Sequence, residues 1–273
     1  MIHATKNVLL ASALALSAGL ASAQSFPDFQ VTESAVAGAL ANTFTADKIT
    51  GNFDEVITFS GNAFQVSLLW NAGQFVANNG STPVASQLGG VSPNQYGMYA
   101  LFQGNGTVQP STGSGATFNF APGGSLRIFL DPNADSRFGA PSNGSTAFSL
   151  TNGGDDYLIA TGMPSSGQGT LDPSLSTCGA TNGINCGSFG ASSSLNLTTA
   201  GSQYFTSPNP FYNITFQSGQ LNNFNPTGTQ RINGSLDVIF GGGGNQVPEP
   251  ATVALLGLGF LGFGLSRRKA RKA

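Results

Sequence analysis

The run Asp131-Pro132-Asn133-Ala134-Asp135 sets oxygen-bearing side chains at alternate positions, the spacing of the first half of a calcium-binding loop. It leaves an alternating stretch, Leu126 to Leu130, so a loop at the end of a strand can wrap a hard cation there. Two residues break the pattern: Ser136 stands where such loops carry glycine, and Ser142 holds the twelfth position in place of glutamate. The competing reading is a β-turn whose Asp and Asn side chains cap backbone N–H groups. A structural calcium on Asp131, Asn133 and Asp135 is the one cofactor these residues suggest, and no other is expected.

The remaining chemistry is thin. Asp54-Glu55 and Asp155-Asp156 are adjacent acids, and neighbours on a strand point to opposite faces. A glycosidase needs two carboxyls facing one cleft, ~5–10 Å apart. Only residues from separate segments could supply them, such as Asp54 with Asp155 or Asp131 with Asp156. The single histidine is His3, inside the N-terminal leader described below. The body therefore has no Ser–His–Asp or Cys–His triad, no histidine metal ligand and no imidazole base. No catalytic residues are expected, and the chain is read as non-enzymatic. Cys178 and Cys186 are the only cysteines. The segment between them contains Gly179, Asn182 and Gly183, so it can turn back, and export to an oxidising compartment favours a disulfide.

Alternation with a period of two runs through the body, and helical periodicity does not. Phe64, Val66, Leu68 and Trp70 share one face, with Gln65, Ser67 and Asn71 opposite; Leu126, Ile128 and Leu130, then Tyr212, Ile214 and Phe216, then Leu236, Val238 and Phe240 repeat the pattern. About ten short strands separated by Gly-Asn, Asn-Gly and Pro-Gly turns predict an all-β fold, a single β-sandwich of jelly-roll type over residues 24–240. Residues 30–41 fit either an edge strand or a short helix. Glycine and proline number 38 and 14 of 273, below the ~25–30% that marks a disordered chain, and 21 phenylalanines can build a core. Trp70, Tyr96, Tyr99 and Tyr212 would stack on sugars if exposed and belong to the core otherwise.

Both ends read as targeting segments. Lys6, the apolar stretch Val8 to Leu20 and Ala21-Ser22-Ala23 form a signal peptide over residues 1–23, with Ala21 and Ala23 set for signal peptidase. At the other end, residues 241–246 are a glycine-rich linker reaching roughly 13 Å. Val247-Pro248-Glu249-Pro250 follows, then an apolar run from Ala251 to Leu265, then a basic cluster beginning with Arg267, Arg268 and Lys269. Those 15 apolar residues make a helix of only ~22 Å against a hydrocarbon core of ~30 Å. This short transmembrane helix would act as a temporary stop, with the cations on the cytoplasmic side. Without the two ends, four Lys and Arg face eleven Asp and Glu, a net charge of −7. A body so poor in cations cannot hold nucleic acid by neutralising phosphates.

The motif, apolar run and basic tail over 247–273 resemble the PEP-CTERM sorting signal of Gram-negative bacteria. That resemblance implies a protein that pauses in the inner membrane, is processed by an exosortase near Pro-Glu-Pro, and is delivered to the extracellular or cell-surface matrix. Four body segments, Gly51-Asn52-Phe53-Asp54-Glu55, Tyr96 to Phe102, Asp131 to Asp135 and Asn209-Pro210-Phe211-Tyr212, resemble the flocculation-associated PEP-CTERM proteins of floc-forming bacteria. This second likeness implies a role in cell aggregation with exopolysaccharide and carries no binding residues with it. The alternatives are an extracellular carbohydrate-active enzyme using Asp or Glu, and a self-assembling surface subunit.

Overall fold

The computed structural model describes residues 26–89, 93–111, 115–178, 183 and 185–241. The expected leader at 1–23, the linker beyond Gly241 and the tail at 247–273 lie outside the described residues. The chain enters as β1 (Phe29–Thr32), turns through the 3-10 segment Glu33–Ala35, and continues as β2 (Thr43–Ala46). Residues 30–41 are thus neither an edge strand nor a single helix: β1 is the middle strand of a three-stranded sheet, paired with β2 on one side and β15 on the other, and a 3-10 turn follows it. The long hairpin β3 (Lys48–Ser60) and β4 (Ala63–Ala77) precedes the short β5 (Thr82–Pro83) and then β6 (Gly97–Pro110). Next come β7 (Ala116–Phe120), β8 (Ser125–Asp131), the small pair β9 (Arg137–Gly139) and β10 (Ser149–Thr151), β11 (Tyr157–Gly162) and β12 (Pro164–Leu171). The described chain finishes with β13 (Gly187–Ser193), β14 (Asn196–Leu197), a helix at Thr199–Tyr204, β15 (Phe205–Ser207), β16 (Asn213–Ser218) and β17 (Thr229–Gly241).

The expected all-β class is correct, but the jelly-roll sandwich is not what forms. Strands β3, β4, β6, β7, β12, β13, β16 and β17 pair in a ring, because β17 pairs antiparallel with β3 and β6 pairs with β4. The result is a closed eight-stranded antiparallel barrel whose strands follow one another in chain order. At β6 the sheet forks. Residues Gly106 to Pro110 pair with β7, while Gly97 to Gln103 pair with β8, from which β11 and β14 extend. The fork coincides with Gly123 and Gly124, whose φ values of 108° and 97° suit glycine. Inward–outward alternation is the same in a sandwich and in a barrel; the β17–β3 register, Thr229↔Thr58 through Ile239↔Lys48, decides between them.

Phenylalanines fill the interior in two groups. Near one end Phe64 meets Phe118 and Phe120 edge-on at 6.1 and 5.2 Å, and Phe224 from the β16–β17 loop lies 5.8 Å from Phe118. At the other end β1 packs Phe29 against Phe240 at 4.8 Å, and Phe205 and Phe211 join them. Edge-on pairs at these separations add to the burial energy. Rings this large need small neighbours, which Gly104 and Gly106 of β6 provide. A Cβ on Gly106 would strike the Asn119 carbonyl and lie 2.6 Å from the Phe64 ring. Gly106→Ala is therefore expected to destabilise by roughly 3 kcal/mol, read as a lower urea midpoint with unchanged slope.

Outward positions are polar: Thr50, Asn52, Asp54, Asn119, Gln168, Thr215 and Gln217 all lie on the exterior. Outer-membrane barrels carry an apolar belt outside and polar residues within, so this wall has the reverse order. Among the described residues no helix is long and apolar enough to cross a membrane. One wall is covered: Phe138, Phe148 and Leu150 pack over Val56, Leu69, Tyr99, Leu101 and Phe129 as a second apolar cluster.

Candidate functional site

The loops after β8 and before β11 bring three carboxylates together. Asp131, Asp155 and Asp156 place oxygens within 4.8 Å of one another. Asp131 ends β8 and is buried; its Oδ1 accepts the Asp135 N–H at 3.3 Å and its Oδ2 the Ser136 N–H at 3.0 Å. Asp156 Oδ2 accepts the Tyr99 hydroxyl at 2.6 Å and the Ser136 hydroxyl at 2.7 Å. Asn133, an expected ligand, donates its amide to Asp155 at 2.8 Å. Asp135 Oδ1 and Asp156 Oδ1 are buried and have no hydrogen-bond partner. Burial pushes the Asp156 carboxyl up, its two hydroxyl bonds pull it back, and the charges of Asp131 and Asp155 add to the rise. Burial and the bond to Asp156 raise the Tyr99 phenol.

The geometry therefore keeps part of each sequence reading. Asp131 does cap its turn, as the β-turn reading required. It also sits in an acidic cluster completed by Asp155 and Asp156, 24 and 25 residues downstream, which the spacing of 131, 133 and 135 does not reveal. Of the two acid pairs that could have met, Asp131 and Asp156 do. Asp54 is instead held by the Arg231 guanidinium, whose Nε donates to Oδ1 at 2.8 Å. An all-oxygen donor set of this kind suits a hard divalent cation.

The second candidate lies inside the barrel. Glu55 points inward from β3 and is 4% exposed. Its surroundings are Ile57, Phe64, Val66, Leu68, Phe102, Phe118, Phe120, Phe189, Phe216, Leu221, Phe224 and Ile232. Among the described residues no other titratable group lines this space and the carboxyl has no hydrogen-bond partner. Burial, with a smaller contribution from Asp54, pushes it up to about 8. Two cavities of about 10 and 20 Å³ meet at this side chain; each has room for about one water.

A third acid is handled differently. Glu33, fully buried in the 3-10 turn, accepts the Gln87 N–H at 2.7 Å and the Tyr96 hydroxyl at 3.0 Å on Oε1. Its Oε2 accepts the side-chain amides of Asn42 at 2.8 Å and Gln87 at 2.9 Å. Tyr96 and Tyr204 hydroxyls lie 2.6 Å apart beside it. This network ties the turn after β1 and the helix at Thr199–Tyr204 to the segment that leads into β6.

Cys178 and Cys186 form the expected disulfide, with Cα atoms 4.4 Å apart. Trp70, Tyr96 and Tyr99 are 1%, 0% and 2% exposed, so they are core residues and cannot stack on a sugar; the Trp70 indole donates to the Leu236 carbonyl at 3.0 Å. Tyr212 is half-buried and donates to the Asp28 carbonyl at 3.2 Å. The sorting residues Val247, Pro248, Glu249 and Pro250, the stop residues Arg267, Arg268 and Lys269, and the signal-cleavage pair Ala21 and Ala23 lie outside the described residues.

Fold and sites together describe a polar-walled β-barrel. Residues 246–269 match the PEP-CTERM protein-sorting motif, so the chain carries that sorting signal. The motif marks an exported protein that passes through the membrane, is processed by exosortase and comes to lie at the cell surface. No curated protein and no solved structure matches the chain, and the flocculation likeness of the body has no support from these comparisons.

Proposed function

We propose that this is a secreted, non-enzymatic matrix protein of a Gram-negative bacterium that promotes cell aggregation with exopolysaccharide. The observation that carries the reading is the sorting motif at residues 246–269. Signal peptidase removes residues 1–23, the apolar run stops in the inner membrane, and exosortase releases the barrel outward. The polar wall supports the reading, since Asn, Gln, Ser and Thr side chains hydrogen-bond to neutral sugars. Deleting the gene and scoring floc formation tests it: aggregation should fall and return when the full chain is restored. Unchanged flocs would reject the role, and reducing ends released from the polysaccharide by the purified protein would replace it with a carbohydrate-active enzyme.

Within this reading a structural calcium would be held by Asp131, Asp155 and Asp156. It would offset three crowded carboxylates and fix the loops that cover one barrel wall. Millimolar calcium should raise the melting temperature by roughly 5 °C, and Asp155→Asn with Asp156→Asn should abolish the shift. No shift in the parent protein would end the idea.

A further inference from the structure

The wall opposite in character to the covered one has a continuous pattern. Paired registers carry one row of outward residues from strand to strand: Asn119 faces Gln168, Gln168 faces Gly190, Gly190 faces Gln217, Gln217 faces Asp237, and Asp237 faces Thr50. Five steps at ~4.8 Å each give a path of about 24 Å across β7, β12, β13, β16, β17 and β3. The only charge on the row is Asp237, and Lys48 Nζ neutralises it at 2.9 Å.

Two grooves open along the same wall. One, of about 470 Å³, lies beside Thr170 and Ser188 at the end of the wall, where Asp172, Leu175, Thr177 and Asn185 of the β12–β13 connection also line it. The other, of about 380 Å³, is lined by Thr50, Asn52, Gln74, Ser235 and Asp237. It forms where the pairing of β3 with β4 slips between Thr50 and Gly51, and such bulges re-aim side chains beside binding sites. The turn between them is fixed, since Ser218 Oγ donates to the Ser235 carbonyl at 2.7 Å and Gln220 Oε1 accepts the Ser235 N–H at 3.2 Å. Gly190 leaves the middle of the row low: a Cβ there would meet only ordinary contacts at 3.4 and 3.7 Å.

We propose that this row is the binding site for a neutral polysaccharide chain, a claim that rests on the matrix reading above. The row has no aromatic or aliphatic side chain of the kind that anchors protein partners. Its one charge, Asp237, is already paired with Lys48, and a body of net charge −7 repels polyanions such as nucleic acid or acidic glycans. Amides, hydroxyls and a neutralised carboxylate match the donors and acceptors of an uncharged sugar, and the low centre at Gly190 lets a chain come close to the backbone as it curves around the barrel.

Affinity electrophoresis of the exported protein in gels containing dextran tests the site. Three proteins are compared: the parent, the row variant Thr50→Ala/Gln168→Ala/Gln217→Ala, and the control Gln65→Ala/Asn105→Ala, whose residues face each other on β4 and β6. All substitutions are on outward side chains, and melting curves check that each variant folds. The expected result is retarded parent and control, with the row variant binding about tenfold more weakly after losing three hydrogen bonds. Equal retardation of all three would overturn the site and leave the matrix reading standing. Loss in the control alone would place binding elsewhere and overturn it too. If dextran retards none of them, the cells' own exopolysaccharide replaces it in the gel; no retardation there removes the matrix reading and the site together.

Discussion

Glu55→Gln is expected to raise the melting temperature at pH 9 by roughly 10 °C and to leave it unchanged at pH 4. The unfolded carboxyl ionises near 4.5, whereas in the barrel it is pushed up to about 8. Below pH 4.5 both states hold the proton and there is no penalty. As pH rises from there the unfolded chain releases its proton first, so stability falls through pH 8 and then levels off. The full loss is on the order of 5 kcal/mol. Glutamine keeps the shape and cannot ionise, so its stability should be nearly flat over the window in which the parent declines. Coincident profiles for the two proteins would show that water reaches the Glu55 carboxyl in the folded barrel.

The opposite outcome is expected at Glu33, an acid buried equally deeply. Glu33→Ala should destabilise by roughly 3–5 kcal/mol, because it strips the acceptor from Gln87, Asn42 and Tyr96 at once and leaves a buried hydroxyl and three part-buried amide donors unpaired. Chemical denaturation should show this as a large fall in midpoint. Hydrogen exchange should show early opening of β1 and its neighbours Asn42 and Gln87. A change below about 1 kcal/mol would mean that waters take over the four bonds. The contrast between the two acids separates what burial does from what partners do: one carboxyl holds a network together, the other sits among phenylalanine rings.

The strands were legible because Phe64, Val66, Leu68 and Trp70 alternate with polar residues, and all four are buried. Closure was not legible, since it depends on which strand pairs with β3, and that is set by registers between residues nearly two hundred positions apart. Asp54 and Glu55 were expected to face opposite ways. They do, with Asp54 outside on Arg231 and Glu55 within. The sequence could not say which of the two faced in, because Phe53, Val56 and Ile57 surround both with apolar neighbours. The acidic cluster was half visible: Asp131 and Asp135 announced a loop, but Asp155 and Asp156 join Asp131 only through the fold. The disulfide was read from two cysteines with a turn between them, where local chemistry suffices.

Residues 247–273, which hold the sorting motif, are expected to be absent from the delivered protein. Intact mass measurement of the cell-surface or extracellular form decides it. The expected mass ends near the Val247 to Pro250 motif and lacks the apolar run and basic tail. A mass that includes every residue through Ala273 would contradict the claim and make this a barrel held permanently at the membrane.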